Sequence, residues 1–528
     1  MRSTRISASL FGVMFLLASV GCGDRAHLWD SPLSISGPHK VGDQVMWVDG
    51  TRGLVFALDP AVGQVGSTSI PRNATFAAPS PDRGRLLVLT GGKEAIYNGQ
   101  EAEEPALSIV VPQPAAAPSV VRSYPLPAAF DRLTVSEDGK RAVAFYSSQK
   151  TAASVFRNPN EVALFDLERG PTNQNPALRT IRSFGAAPHG VAFSPDVAIP
   201  PGGGTKHSLA VIMADNYLTF VDMKNLDRVE ITVPLAKPDA NVTVKPEEVL
   251  FSATTATVFV RATGSSDVYA LSLTAKTPAG KGENDYIPTI NQPSAGKTVR
   301  DMVLFRDSGN DLILTANASK DLALIDAATS QFSVIPVGEP VDTIVSVPAT
   351  SPTLALIYSR AQPTARIHFL ELQDLAKNLE KNLTSRSLAK PVHQLVPMPD
   401  GAQALVVHNH TRDVVSVLDV QGEHHTVAPI QGQVALNSFD FAGKSHLVGV
   451  SPGLPRLGIL NLGNLLATDL RLDHNPSKVL AVGDTIVVDH GEPQGLVTVV
   501  PGPTAERDAC RVLWGFLFQG LLDHELSD

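Results

Sequence analysis

Four histidines fall close together in one stretch: His408 and His410, then His424 and His425. Imidazoles two apart on an extended segment share a face and could grip a metal ion if a third donor reached them. No carboxylate or cysteine stands at ligand spacing, so no metal site is expected. Gly449-Val450-Ser451-Pro452-Gly453 has the letters of a nucleophile elbow. An oxyanion hole needs the N–H of the residue after the serine, and Pro452 has none. Gly296-Lys297-Thr298 resembles the end of a phosphate loop, but Asn291 occupies the place of the required glycine and no helical pattern follows, so it reads as a turn. No CxxCH occurs, which excludes covalently attached c-type haem. No pair of residues takes acid and base roles, and no cofactor is expected.

The elements that carry these residues are short apolar runs. Arg141–Tyr146, Ser208–Ala214, Asp311–Ala316, Thr353–Tyr358 and Ala404–His408 are each extended and apolar. After a polar turn, several are followed by a second run closing on aspartate: Val162–Asp166, Leu218–Asp222, Leu322–Asp326 and Val415–Asp419. Before them stands a strand ending in a turn such as Ser194-Pro195-Asp196 or Ser136-Glu137-Asp138-Gly139, where proline, aspartate and glycine supply turn geometry. A more polar fourth strand follows, as in Arg228–Pro234. Four strands repeated about every 45 residues are the mark of a β-propeller blade. Units begin near 38, 74, 128, 188, 245, 298, 340, 392, 434 and 474, ten in all. The last shows three strands, and Leu33–Ser36 is the expected donor of its fourth.

Pro188-His189-Gly190-Val191-Ala192-Phe193-Ser194-Pro195-Asp196 resembles the blade-opening strand of the YVTN family of β-propeller repeats, and 404–419 and 313–329 resemble its middle hairpin. Residues 49–65 are similar to the related quinoprotein-like repeat. The resemblance implies an all-β propeller of four-stranded antiparallel blades over most of the chain, and treats His189 mainly as a turn residue. Enzymes, scaffolds and receptors share such repeats, so it implies no single activity.

Residues 1–21 pair Arg2 and Arg5 with an apolar stretch too short to span a bilayer, as in a secretory signal. They end in Ser19-Val20-Gly21-Cys22, which resembles a bacterial lipobox and implies acylation at Cys22. Gly23 after the cysteine implies the outer membrane. Residues 22–37 read as a tether, 38–502 as the propeller and 503–528 as a helical tail, apolar on nearly every side around Trp514. Leu372, Leu375, Leu379 and Leu383 read as a short amphipathic helix inserted in one blade.

Lys and Arg total 43 against 52 Asp and Glu, a net charge of −9 that becomes more negative by two when Arg2 and Arg5 leave with the signal. Such a surface does not gather phosphate backbones, which excludes nucleic acid as a partner. Blade-entry turns and the turns between second and third strands fall on one rim of a propeller. Asp49, Arg52, His189, Asp215, Asn216, Asn317, Lys320, His408, His410, Arg412, Asp489 and His490 stand there as candidate binding residues. The expected function is a lipid-anchored envelope module that binds a protein or glycan without catalysis. The alternative is a propeller enzyme, a lactonase-like hydrolase or a quinone-dependent dehydrogenase; only three tryptophans, Trp29, Trp47 and Trp514, argue against the latter.

Overall fold

The computed structural model describes residues 33–518, apart from 94–101, 115–116, 148–157, 170–177, 183–186, 200–205, 227, 237–242, 277–285, 349–350, 380–381, 389, 399–402, 409–414, 421–426, 430–435 and 452. Ten four-stranded antiparallel sheets follow one another, each with its strands paired in chain order. They are blades 1 to 10, spanning 35–69, 74–125, 132–182, 190–234, 246–291, 301–341, 343–387, 392–429, 438–471 and 478–514. The chain is a ten-bladed β-propeller, and every blade starts within four residues of the start read from the sequence.

The apolar runs are the second and third strands. In blade 4, Leu209–Ala214 is buried throughout and Tyr217–Asp222 almost so. A sheet covered on both faces needs continuous apolar strands rather than alternating ones. The outer strands meet solvent and are correspondingly polar, as in Gln64–Ser69. First strands of blades 1 to 4, of 5 to 7 and of 9 and 10 adjoin in turn, and Lys478–Val482 of blade 10 adjoins Ile35–Val41 of blade 1.

The core is therefore divided. Ten apolar clusters occur among the described residues, and each joins two adjacent blades. A row of ten blades has nine interfaces; a closed ring has ten. The tenth cluster packs Trp47, Phe56 and Leu58 of blade 1 against Val487 and Val499 of blade 10, with Phe516 and Leu517. Each fully buried aromatic such as Phe56 contributes roughly 1.5–3 kcal/mol of hydrophobic stabilisation.

The repeated aspartate closes turns. Oδ1 of Asp59, Asp166 and Asp222 accepts the N–H two residues on, at 3.0, 3.1 and 3.1 Å, and Asp326 accepts those of Ala328 and Thr329. This is an Asx turn, which fixes the hairpin into the outer strand. The turns between first and second strands use serine with aspartate: Ser136 Oγ donates to Asp138 Oδ1 at 2.6 Å and accepts Arg141 N–H at 2.9 Å.

Three expectations change. The fourth strand of blade 10 is Arg511–Trp514, supplied by the C-terminal segment, whereas Ile35–Val41 is the first strand of blade 1. The apolar tail is thus strand before it is helix, and a short helix begins at Phe516. The leucines from Leu372 to Leu383 form a 3-10 turn at Leu375–Lys377 and an outer strand at Leu383–Ser387. Leu372 and Leu375 are buried and Leu379 and Leu383 pack beside them, so the spacing marked a core contact and not a helix. No helix among the described residues is long and apolar enough to cross a membrane.

Candidate binding rim

The residue preceding each first strand lies opposite the end of the second strand, as the backbone bonds of His189 to Met213, Arg300 to Ala316, Asp342 to Tyr358 and Asn437 to Val450 establish. This proximity lets one side chain fasten two loops. In blade 3, Asp131 accepts the N–H and the hydroxyl of Ser147, at 2.6 and 2.9 Å. In blade 7, Asp342 accepts from Ser359 Oγ at 2.7 Å, Arg360 N–H at 2.8 Å and Ala361 N–H at 2.9 Å. Burial opposes ionisation of Asp342, but these donors outweigh it and hold the carboxyl below its ordinary range. In blade 9, Ser451 Oγ donates to Asn437 at 3.0 Å, and in blade 2 Asn73 Nδ2 donates to Gly92 O at 2.7 Å.

Several candidates belong to this fastening system. Asp49 is fully buried, accepts Thr51 and Arg52 N–H through Oδ1, and pairs with buried Arg52 Nη1 at 2.9 Å. His408 and His490 occupy the same place in blades 8 and 10. Nε2 of each meets a third-strand hydroxyl, Ser416 at 2.8 Å or Thr498 at 2.9 Å. Nδ1 meets a backbone oxygen, Pro391 at 3.2 Å or Asn475 at 3.0 Å. A carbonyl only accepts, so Nδ1 carries the proton and Nε2 takes the hydroxyl hydrogen. Both rings pin the loop to the third strand, and burial lowers the pKa of His490.

Asn216 adopts φ 66°, accepts Val244 N–H on Oδ1 at 2.6 Å, and joins blade 4 to the entry of blade 5. Asp489 is buried at the end of a second strand. Burial pushes its carboxyl up to about 6, against the opposing pull of Gly491 N–H, Lys478 and the Trp47 indole.

The sector over blades 4 to 6 differs. Its entry residues, His189, Lys245 and Arg300, are all cationic or able to become so. His189 lies 3.8 Å from Asp215, and burial lowers its pKa while Asp215 draws it back. Lys245 and Arg300 are exposed, and their side chains make no hydrogen bond or ion pair among the described residues. Lys320 is exposed too, while Asn317 is 8% exposed and its Oδ1 has no hydrogen-bond partner among the described residues. Beneath lie Glu247 and Glu248, both bonded to Arg261 at 2.5 and 2.9 Å, and Asp301, which accepts Ile344 N–H of blade 7 at 2.7 Å. Burial raises Glu248 and Asp301 above the usual carboxylate range.

Sequence reasoning missed Asp131, Asp342, Asn437 and the Glu247–Glu248–Arg261–Asp301 group. The signal was position: aligning the ten strand starts and taking the residue before each finds the first three. His207, Asp222 and Tyr286 also form a polar knot between blades 4 and 5, with His207 Nδ1 2.8 Å from Asp222 and Nε2 3.2 Å from the Tyr286 hydroxyl. All three are buried, and Asp222 is spent on its Asx turn. Gly296-Lys297-Thr298 is a turn, with Lys297 paired to Asp321 at 2.7 Å. His410, Arg412, His424, His425 and Cys22 lie outside the described residues. Among the described residues no three His, Cys, Asp or Glu side chains are grouped to hold a metal ion.

No family model and no curated protein matches the chain. Many solved structures resemble it distantly. Dihydro-heme d1 dehydrogenase NirN in complex with DHE is 13% identical over 76% of this chain and 78% of that one, with a TM-score of 0.39. A eukaryotic initiation factor is 14% identical over 76% and 85%, with a TM-score of 0.41. Hydrazine synthase of Kuenenia stuttgartiensis is 13% identical over 74% and 97%, with a TM-score of 0.30. These values carry no functional argument, and the propeller is defined by its own ten sheets.

Proposed function

We propose that the chain is a binding module tethered to the bacterial envelope by lipid on Cys22, which presents the rim of blades 4 to 6 to an envelope protein or glycan. One contrast carries the reading. In blades 2, 3, 7 and 9 the residue before the first strand is tied to its neighbouring loop, while at the same position Lys245 and Arg300 stand exposed and unengaged among the described residues. Long exposed cations on this sector suit recognition of polar and anionic groups at a surface. Charge at such a rim acts chiefly on association rate and partner choice.

The test is capture from detergent-solubilised envelopes by the full chain and by a Lys245→Glu, Arg300→Glu double variant. A partner held by the wild type and released by the variant is the expected result. Recovery of the chain alone, or a partner indifferent to the two substitutions, overturns it.

A further inference from the structure

Between blades 5 and 6, on the wall of the ring and away from the rim, lies an open cleft of about 490 Å³. That size falls within the roughly 300–1,000 Å³ of small-ligand sites. Three strands of blade 5 present one face to it. Thr257, Ser272 and Thr289 are directly paired across the second, third and outer strands, so their side chains form a row. Two residues along, Phe259, Ala270 and Asn291 form the next row. Across the cleft stand Arg306 and Asp311 of blade 6.

The hydroxyls set blade 5 apart from its two neighbours. The position paired in blades 4 and 6 as Leu209 with Asp222, and Leu312 with Asp326, is Thr257 with Ser272 in blade 5. In those neighbours the leucine is buried and the aspartate closes the outer turn. Blade 5 gives up both, replacing an apolar contact and a turn cap with two hydroxyls and leaving space where a leucine would reach.

The hydroxyls are also chained. Thr255 Oγ1 donates to Thr257 Oγ1 at 3.0 Å, and Thr257 Oγ1 meets Ser272 Oγ at 2.8 Å. Ser252 Oγ donates to Asp311 Oδ2 at 2.5 Å. Each hydroxyl offers one donor and two acceptor sites, so a chain of them keeps capacity at its end.

We infer that this cleft binds a neutral oligosaccharide. A sugar ring presents alternating hydroxyl donors and acceptors to the Thr257–Ser272–Thr289 row and C–H faces to the Phe259–Ala270 floor, and Asp311 and Arg306 complement its vicinal hydroxyls. An extended peptide would seek an unpaired strand edge, whereas the cleft is lined by side chains of a sheet face. A nucleotide or phosphate would require cations at the centre, where hydroxyls stand.

The wall site stands apart from the rim proposed above, and the test separates them. The full-length chain in detergent is titrated calorimetrically with cellobiose, N,N′-diacetylchitobiose and maltotriose at millimolar concentration. Saturable binding of at least one is expected, weakened tenfold or more by Ser272→Asp, which restores the residue that blades 4 and 6 carry, and by Thr289→Val. Lys245→Glu with Arg300→Glu leaves that affinity unchanged. The inference is overturned if all three sugars fail to bind, or if binding survives both cleft substitutions in variants that melt with the wild type. Loss of sugar binding on changing the rim alone also overturns it.

Discussion

Phe516, just beyond the last strand, sits edge-on to Trp47 in blade 1, with ring centroids 5.0 Å apart at 61°. Here the two ends of the propeller meet. Near it Arg511 Nη1 donates to Val62 O at 2.5 Å, and Lys478 Nζ donates to Pro38 O at 2.9 Å. Phe516→Ala empties an interblade cluster and should cost about 3 kcal/mol or more. Denaturant unfolding measures it. A loss below about 1 kcal/mol would mean the seam is held elsewhere.

The same seam carries two titrating groups of opposite sign. Asp489 is raised to about 6, so the native chain holds its proton more tightly than the unfolded chain; its contribution is full below the ordinary aspartate value and fades as pH rises through 6. His39 is lowered to about 4, by burial and then by Lys478, so stability falls as pH drops from 6.5 through 4. Between about pH 4 and 6 the two slopes oppose each other. Asp489→Asn should therefore unmask a stability that rises with pH across this window, by about 2 kcal/mol. His39→Gln should unmask the reverse. Melting curves at several pH values decide, and unchanged slopes in both variants contradict the pairing.

Asp342 collects three donors from one turn. Its replacement by alanine should lower stability by about 1–2 kcal/mol and loosen 359–361, visible as faster amide exchange there than in the equivalent turn of blade 3. Unaltered exchange would show that the strands alone fix the loop.

On the proposed function, attachment turns on Cys22. If it is acylated, Cys22→Ser should release the whole chain from membranes with its melting temperature unchanged, because several lipid chains together make a stable anchor. Equal retention of both forms in the membrane fraction would shift the anchor to exposed Trp514 or to a partner.

The blades were legible because a doubly covered strand must be apolar throughout, and runs such as Leu209–Ala214 have few other structures open to them. Closure was not. Leu33–Ser36 and Arg511–Trp514 are both short enough to serve as a fourth strand, and what separates them is the partner available at the seam, which local pattern does not encode. Whether a polar side chain at the rim is free or spent depends on its opposite number. His408 and His490 look like ligands in a string of letters and are pins in space. Lys245 and Arg300 drew no notice because nothing about a lysine or arginine in a turn distinguishes it until its neighbours are seen to be latched.

A closed ring of ten has a far side. Counting in either direction from the seam where blade 10 meets blade 1, five blades intervene before the junction of blades 5 and 6. The chain enters its first strand and leaves its last at that seam, so whatever holds residue 33 holds the ring at one point of its circumference. The hydroxyl-lined cleft lies half a turn from that seam, and turns outward whenever the seam turns inward.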